Sequence, residues 1–455
     1  MNFNKKLAVA VSGAVLLMAG QFALADSTTD IVDALVSKGV LTEEEGKLIS
    51  KGHETKKKAD GTVAFKDGFK INSGDGKSNI SLNGRIMLDY RNFDVPSTNP
   101  TSIAGANVAD TFDIRRAYMS IKGSFRNLVN FEVTTDVGAS KYFWLEGVLS
   151  EKAKVRFGQF KMPGGLEQLT SSRFIDFTER DFVSNLMPAV NRGVMLHGVP
   201  TTGVTYAVSV SNGGYFADSG ATVDELGSGS DGKAYNGRLT VNIAELMGNK
   251  EAIAHLGGSY GYDSNLPTEA TKVQRSNARG TTFFSSASSL TNPDITRYGL
   301  EAIVSKGPVK FQGEYANMSF ETSTAGEVER DIKASYAGVA WMITGETYAS
   351  AYKNGLFDRM RPNKDFTGID GSGWGAWEIG ARYSKYDAKD FAVTATSTND
   401  VDSYSAGIKW IADPNTRFLA DYIYTDFNKD ITAGTTFPIT ASNEKAINLR
   451  AQFDF

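Results

Sequence analysis

The sequence predicts an all-β transmembrane barrel of sixteen antiparallel strands, and three observations lead to that class. Segment after segment alternates apolar and polar residues, the two-residue period of strands whose two faces meet different media. Gly (46), Phe (27) and Tyr (18) are abundant. After the first 25 residues, no apolar run approaches the roughly 20 residues of a membrane helix. With a mean hydropathy of -0.26, a helical membrane protein is excluded.

The N-terminus is typical of a secretory signal peptide, which we place at residues 1–25. Lys5 and Lys6 precede the apolar run LAVAVSGAVLLMAG, and small residues lead to Ala25. Charged, apolar and small-residue regions in that order mark a cleaved signal. Removing the two lysines takes the formal net charge from -4 to -6. The chain has no cysteine, which excludes disulfides and thiolate chemistry. We therefore expect export from the cytoplasm.

Residues 26–60 predict a short periplasmic helical leader followed by a charged linker. The stretches TTDIVDALVSKG and LTEEEGKLISKG each end on a glycine, Gly39 and Gly52. Thr42 and Glu45 have the spacing of a capping box. The pair of helices is interpreted as an association element, and a partly ordered leader is the alternative.

Residues 61–455 predict the barrel itself. In NISLNGRIMLDYR the even positions are apolar apart from Gly84 and the odd ones mainly polar, and in the C-terminal AINLRAQFDF the odd positions are apolar as far as Phe455. A soluble sandwich rarely needs arginine on the opposite face of so many strands. A barrel in lipid needs an apolar outside, a polar inside and closure without free edges. We expect the last strand to close the cylinder, with Phe455 at the periplasmic rim.

The strand count follows from the same alternation. A further candidate at 346–355 would give an odd number, and because bacterial barrels have even counts we interpret it as part of a long periplasmic connection, 344–373. The sixteen predicted strands are 79–93, 112–125, 128–137, 141–149, 153–160, 191–199, 203–212, 233–245, 251–262, 294–305, 309–320, 330–343, 374–387, 401–411, 415–427 and 442–455.

Loop lengths and aromatic residues agree with this arrangement. Short links fall on the periplasmic side, and long loops fall outside, as in known barrels. The long loops are 94–111, 161–190, 213–232, 263–293, 388–400 and 428–441. Aromatic residues near strand ends predict girdles at the membrane interfaces. They are Tyr90, Phe125, Trp144, Trp377, Tyr383, Trp410, Tyr422 and Tyr424.

Several blocks of the sequence resemble the phosphate-selective porin O and P family. They include DIRRAYMSIKGSF, VRFGQFKMPGGLEQLTSSRFIDFTER, YGLEAIVSKGPVKFQGEY, MITGETY, GWGAWEIGARYS and AGIKWIADPNTRFLADYIY, in order from about residue 79 to the terminus. The resemblance implies a trimeric, sixteen-stranded outer-membrane porin. It also implies a third extracellular loop that folds into the pore and carries basic residues at the constriction.

The resemblance assigns the first candidate site residues. The RRAY block gives Arg115 and Arg116, and TSSR gives Arg173 where phosphate-selective members tend to have lysine. Guanidinium offers a planar fork and ammonium a point charge. Arg115 lies on the apolar phase of its strand, which indicates a bulge or a position at the rim, so Arg116 is the preferred candidate.

The loop 161–190 supplies further candidates, Lys161 and Arg180, and Arg192 begins the strand that follows. Against its three basic residues stand Glu167, Asp176, Glu179 and Asp181, so the loop is net acidic by one. An anion filter therefore requires a fold that gathers the bases at the constriction and directs the acids elsewhere.

Basic residues also fall on the lumen phase of many strands. On one interpretation they form a ladder that guides anions along the channel, and on the other they are wall charges balanced by acids. They are Arg85, Arg91, Arg116, Lys122, Lys154, Arg156, Arg238, Arg297, Lys310, Arg382, Arg417 and Arg450. Seven acids share that face, namely Asp89, Glu132, Glu301, Glu314, Glu378, Asp421 and Asp454.

These observations favour a passive outer-membrane channel for small anions, phosphate or related oxyanions, in a homotrimer in the lipid bilayer. A general diffusion porin with little anion preference is the alternative, and a barrel that anchors surface loops is a third. No enzyme is expected, because His53, His197 and His255 lie apart and near no serine motif. No cofactor, metal site or nucleic-acid partner is expected.

Overall fold

The fold is described from a computed structural model of the chain. The structure describes residues 32, 35–38, 40–49, 62–65, 68–94, 109–136, 139–212, 232–264, 273–285, 293–322, 328–393, 397–433 and 439–455. The predicted signal peptide, residues 1–25, lies outside the described residues.

Strands dominate the part of the chain that the structure describes. They are β1 (Thr62–Phe65), β2 (Phe69–Asn72), β3 (Asn79–Asp94), β4 (Thr111–Phe125), β5 (Val129–Asp136), β6 (Ala139–Ser150), β7 (Ala153–Lys161), β8 (Val190–Thr201), β9 (Val204–Asn212), β10 (Lys233–Asn242), β11 (Ala252–Asp263), β12 (Val273–Arg275), β13 (Thr282–Ser285), β14 (Asp294–Lys306), β15 (Val309–Thr322), β16 (Val328–Met342), β17 (Tyr352–Lys353), β18 (Leu356–Phe357), β19 (Ala376–Asp387), β20 (Asp400–Ile411), β21 (Thr416–Ala433) and β22 (Ile439–Asp454). The short helices are α1 (Leu166–Leu169), α2 (Phe182–Leu186), α3 (Ile243–Leu246) and a 3-10 turn, Tyr348–Ala351.

Sixteen of these strands form one closed antiparallel barrel, as the sequence predicts. They are β3–β11, β14–β16 and β19–β22, each hydrogen-bonded to the next. β22 pairs with β3 over ten residue pairs and closes the cylinder. Residues 346–355, which the sequence pattern assigns to a connection, contribute no barrel strand. They form the 3-10 turn and the strand β17 of a small hairpin with β18.

The C-terminal residue is held in the sheet. The backbone N–H of Phe455 donates to Gly84 at 3.0 Å, and Gly84 donates back at 2.9 Å. A Cβ atom at Gly84 would lie 2.5 Å from the Phe455 ring, so the close approach of the two residues requires glycine. The alternation that runs to the end of the sequence thus reflects a strand that is paired to its end.

Connections at the two ends of the barrel differ in length. At one end, the short-turn rim, β4 turns into β5 through Arg126 and Asn127, whose φ angles of 53° and 56° are typical of a tight hairpin turn. The other end, the long-loop rim, carries the longer connections, apart from residues 343–375 between β16 and β19, which lie at the short-turn rim. The last of these is shorter than the predicted 428–441, because β21 continues to Ala433 and Ile431 is buried among aromatic side chains.

Side chains alternate between an exposed outer face and the lumen. On β20 and β19, Trp410 and Trp377 lie on the outer face and stack with ring centroids 5.6 Å apart. The girdle assignment of Trp144 is wrong. Its neighbours Phe143 and Leu145 are exposed on the outer face, and Trp144 faces the lumen beneath the guanidinium of Arg156.

Apolar side chains occupy part of the lumen at the long-loop rim. The inner face of β15 carries Ala316, Met318 and Phe320, all buried, and α2 and β13 pack against this wall. Phe283 of β13 lies in edge contact with Phe182 of α2, with ring centroids 5.7 Å apart. The lumen is therefore not uniformly polar, because segments that fold inward cover this half of its wall.

A second inward contact comes from the short-turn rim. Residues 343–375, the rim connection, bring Tyr348, Phe357 and Met360 into an apolar cluster with Leu166 of α1. Residues 161–190, from the last residue of β7 to the first of β8, are the inserted segment. The two therefore meet inside the barrel.

The described part of the N-terminal leader is helical over residues 43–49. The predicted capping box is confirmed: Glu45 N–H donates to Thr42 Oγ1 at 3.2 Å, and Thr42 N–H donates to Glu45 at 2.9 Å. Within the described ranges, every helix is too short or too polar to cross a bilayer.

Candidate functional site

The inserted segment is fixed to the inner wall by two carboxylates of the barrel. Glu314 on β15 accepts the backbone N–H groups of Leu166 and Glu167, at 2.7 and 2.8 Å, where α1 begins. Asp421 on β21 accepts the N–H of Thr178 at 2.6 Å. Buried N–H groups without acceptors are costly. These wall carboxylates therefore set the path of the segment.

The acidic side chains of the segment meet basic groups of the wall. Glu179 accepts two hydrogen bonds from Arg115, at 2.6 and 3.1 Å, and lies 3.2 Å from Arg450. Burial alone would raise its pKa, but these guanidinium groups hold the pKa of Glu179 well below the ordinary value. Asp176 is paired in the same way with Lys310 at 2.7 Å.

Glu167 and Asp181 form a third acidic contact, centred on Arg382 of β19. Arg382 lies 3.2 Å from Glu167 and 3.6 Å from Asp181. Asp181 also accepts the N–H of Val183 at 3.2 Å and so begins α2. Burial raises the pKa of Glu167 to about 7, and it raises the pKa of Asp181 too. This contact therefore holds a proton near neutral pH.

These contacts give a geometric solution to the charge of the segment, which is net acidic by one in sequence. Its four acids are all bound by wall donors, and Glu167, Glu179 and Asp181 are buried. Its three bases, Lys161, Arg173 and Arg180, all line one cavity of about 650 Å³ in the lumen. The fold thus separates the acidic side chains of one loop from its basic side chains.

The cavity is strongly basic. Its walls carry two acids, Glu132 and Asp358, and Glu132 is 3.1 Å from Lys122. Ten basic side chains line it, from four strands, the inserted segment and the rim connection: Arg85, Arg116, Lys122, Lys141, Lys161, Arg173, Arg180, Lys353, Arg359 and Arg361.

Three guanidinium groups surround the ring of Phe174 at one side of this cavity. Arg173, Arg417 and Arg359 lie 4.9, 5.2 and 5.8 Å from its centroid. Arg173 and Arg359 both contact the same oxygen of Asp454 on β22, Arg173 at 3.3 Å. Burial and the charge of nearby Arg85 lower the pKa of Arg173. The carboxylate of Asp454 therefore pairs with two arginines at once.

The basic groups of the inserted segment also brace its backbone. Lys161 donates to the carbonyl of Gln168, and Arg180 donates to the carbonyls of Glu167 and Thr170 at 2.8 and 2.9 Å. These carbonyls lie at and after α1. Because the carbonyls at a helix end lack partners within the helix, the two cations stabilise the turn that they share with the cavity.

The RRAY arginines both face the interior but have different surroundings. Phe112 and Ile114 are exposed on even positions, whereas Arg116 is buried on the next one, so the alternation shifts at this point. Arg115 contacts Glu179 and does not line the cavity. Arg116 lines it, and its Nη1 lies 3.8 Å from the sulfur of Met87.

The other predicted basic residues divide by position. Arg85 lines the cavity, stacks on Tyr118 at 3.8 Å and donates to Ser172 at 2.9 Å. Arg192 lies away from the cavity lining and donates to Gln159 at 3.1 Å. The rest pair with wall acids: Arg91 and Arg450 with Asp89, Arg297 with Asp263, Arg156 with Glu146 and Arg238 with Glu301.

Sequence reasoning missed the basic residues Lys353, Arg359 and Arg361 of the rim connection. Nothing in the residue pattern of that connection indicates entry into the lumen. Its length alone, as the one long connection on the short-turn side, is the available signal.

The sequence matches the family model described as "Phosphate-selective porin O and P" over residues 80–455. Among curated proteins it is similar to Porin O of Pseudomonas aeruginosa, with 25% identity over 408 residues, covering 82% of this chain and 88% of that protein.

The comparison with solved structures finds outer-membrane proteins, and the first of the two below shares the fold. The in-vitro folded outer-membrane protein OmpT of Vibrio cholerae is 10% identical, with a TM-score of 0.50, over 83% of this chain and 98% of that one. The outer-membrane channel DcaP of Acinetobacter baumannii is 10% identical, with a TM-score of 0.48, over 83% and 97%.

Proposed function

The chain belongs to the phosphate-selective porin O and P family and forms a channel in the bacterial outer membrane, and from this premise we propose that it passes small anions, phosphate or related oxyanions, by passive diffusion. The observation that carries the proposal is the basic cavity, in which ten basic side chains face two acidic ones. The four acids of the inserted segment are turned to the wall and do not oppose them.

The cavity suits an anion that has lost part of its water. Selective passage needs donors that replace hydration, and charged donors are the strongest. Guanidinium groups of Arg173 and Arg116 can each present two parallel N–H groups to an oxyanion. The hydroxyl of Ser172, beside Arg85 at 2.9 Å, adds a neutral donor. Tetrahedral oxyanions use such convergent donors better than chloride does.

We assign the constriction to the predicted residues that line the cavity, Arg116, Arg173, Lys161 and Arg180, together with Arg85. Arg359 completes it from the rim connection. Arg115 does not line the constriction. It acts indirectly, because it holds Glu179 against the wall. Arg192 lies outside this set.

A general diffusion porin is the second candidate, and a specific observation favours it. Many of the lumen arginines are ion-paired, such as Arg297 with Asp263 at 2.8 Å and Arg450 with Asp89 at 2.7 Å. Such pairs present little net charge to a passing ion. On this view the ladder of bases is a balanced wall and only the cavity is selective.

The deciding measurement is the zero-current potential of the purified protein in a planar bilayer under a KCl gradient, repeated with millimolar phosphate. We expect an anion-selective potential and a chloride current that phosphate reduces. A near-zero or cation-selective potential, unchanged by phosphate, leaves the general diffusion porin. No conductance at all would indicate an anchoring role.

The family resemblance also supports a homotrimer as the working assembly. Closed rings of three identical subunits are among the common symmetric assemblies. Native mass spectrometry of the protein released from mild detergent is expected to give three copies. A single copy under conditions that preserve conductance would contradict the trimer.

We also propose that the protein is no enzyme. The relative is a porin and the matching family is one of porins. The two histidines in the described part of the chain make contacts within the barrel wall and with the rim connection. His197 contacts Glu146 at 2.8 Å, and His255 contacts Glu301 at 2.9 Å and Tyr352 at 2.6 Å. The two glutamate contacts join barrel strands, and the Tyr352 contact joins β11 to the rim connection.

A further inference from the structure

A second lumen cavity of about 360 Å³ adjoins the basic one and differs from it in character. Three large apolar side chains of neighbouring strands, Trp144, Phe160 and Met195, pack together along it, and Leu356 of the rim connection and Pro163 also line it. We call this cavity the aromatic recess. Charged side chains such as Lys154, Arg156 and Arg238 line the rest of it.

The aromatic wall is directed into the lumen by the sheet itself. On β6, Phe143 and Leu145 are 39% and 59% exposed on the outer face, so Trp144 between them faces inward. The guanidinium of Arg156 lies 4.0 Å from its ring centroid and 5.7 Å from that of Phe160. Aromatic rings beside guanidinium groups are recognition surfaces for ligands with a π face.

Carboxylates at the recess are neutralised, so they do not exclude an anion. Glu146 behind the stack is bound by Arg156 at 2.6 Å and by His197 at 2.8 Å. On the lining, Glu151 pairs with Lys154 at 2.8 Å. Glu132, which the recess shares with the basic cavity, pairs with Lys122.

The two cavities share a boundary, formed by Glu132, Tyr142, Lys161 and Leu169. A molecule whose apolar body lies against Trp144 therefore places an attached anionic group near Lys161 and the basic cavity. About 150 Å³ is enough to hold a benzene ring, so the recess has room for one substituted ring.

We infer that the aromatic recess binds organic anions with an aromatic body, such as aromatic carboxylates, and gives them a binding step that small inorganic or aliphatic anions lack. The inference rests on the proposed anion channel. The ring packs against Trp144 and the guanidinium of Arg156 that lies over it, and the carboxylate accepts hydrogen bonds from Lys161 at the boundary. Ligands of this shape then compete with chloride for the same passage.

The probe is the reduction of chloride current by benzoate, cyclohexanecarboxylate and acetate in planar bilayers. For the wild-type channel we expect half-inhibition by benzoate at a concentration about tenfold lower than by acetate, with cyclohexanecarboxylate between them. Trp144→Ala should bring the benzoate and acetate values within about twofold of each other. Trp144→Leu keeps apolar volume without the ring, so it should abolish the difference between benzoate and cyclohexanecarboxylate.

Trp377→Ala is the matched control, because Trp377 lies on the outer face and its loss should leave the benzoate preference intact. Equal inhibition by benzoate and acetate in the wild type overturns the inference, even if neither Trp144 variant inserts. A wild-type benzoate preference that persists in Trp144→Ala also overturns it. A cation-selective zero-current potential in the same channels is a failure of the proposed function, and is measured separately.

Discussion

Asp454 holds two arginines from distant parts of the chain at one point of the basic cavity. Arg173 belongs to the inserted segment and Arg359 to the rim connection, and both contact the same carboxylate oxygen. One negative charge beside two positive charges leaves an excess of positive charge. On the proposed function, we expect this excess to attract an anion and to repel a cation.

Replacing either arginine should therefore weaken anion selectivity to a similar degree. We expect Arg359→Gln and Arg173→Gln each to lower the anion-to-cation permeability ratio by a factor of roughly five, since one unit charge at ~4 Å contributes ~1 kcal/mol in water. Zero-current potentials under a KCl gradient measure the ratio.

Arg330→Gln is the control for these two variants. Arg330 lies over the ring of Phe391 at 5.6 Å and does not line the basic cavity. If all three variants change the ratio equally, the selectivity comes from the total charge of the protein, and the local site is wrong.

At the scale of single residues, part of the lining of the basic cavity could be predicted from the sequence. Four of its residues can be identified because they lie in blocks that resemble the family or on the lumen phase of a strand. They are Arg116, Arg173, Lys161 and Arg180. Trp144 was misassigned because both phases of KYFWLEG carry aromatic side chains, and alternation alone cannot choose between them.

The inserted segment depends on contacts that no local pattern contains. Its hydrogen bonds join residues far apart in sequence, such as Leu166 with Glu314 and Thr178 with Asp421. The sequence does carry one indirect signal. In YANMSF the inner phase, Ala316, Met318 and Phe320, is apolar, which indicates that something covers the inner wall there.

The docking of this segment should weaken as the pH rises. An exposed glutamate titrates near 4.5, and burial raises the pKa of Glu167 to about 7. Between pH 4.5 and pH 7, Glu167 binds more protons when the segment is docked than when it is released. Its contribution to docking is therefore complete below pH 4.5 and is lost as the pH rises through about 7. We expect more frequent current transitions at pH 8 than at pH 5 in single-channel records.

Glu167→Gln should flatten this dependence because the amide does not ionise. Glu151→Gln is the matched control, since Glu151 lies at the short-turn rim and its pKa is lowered by Lys154. It should keep the wild-type dependence. Transitions that change with pH equally in both variants would assign the effect to another group.

For the whole barrel, strand number and closure could be predicted, whereas the filling of the lumen could not. Alternation sets each strand, and the even-number rule removes the seventeenth candidate. How far the inserted segment and the rim connection enter depends on packing between non-neighbouring strands. That packing has no period along the chain.

Closure at the terminal strand is open to a direct test. A Cβ at Gly84 would lie 2.5 Å from the ring of Phe455, whereas one at Gly147 would lie 4.0 Å from its nearest neighbour. We expect Gly84→Ala to destabilise the barrel by about 1–3 kcal/mol through overpacking. The temperature at which the folded band disappears on unheated-versus-heated electrophoresis measures this.

Gly147→Ala is the comparison variant for the closure test and should unfold at the wild-type temperature. Equal unfolding temperatures for Gly84→Ala and the wild type would show that the Phe455 ring moves aside without cost.

The anchoring of the inserted segment has a consequence for the order of events in biogenesis. The segment follows β7, yet the groups that hold it, Glu314, Arg382, Asp421 and Asp454, belong to strands that come much later in the chain. Contacts of such long sequence separation form late. Because β22 also closes the barrel by pairing with β3, we expect the inserted segment to reach its final position at the same late stage of assembly at which the cylinder closes.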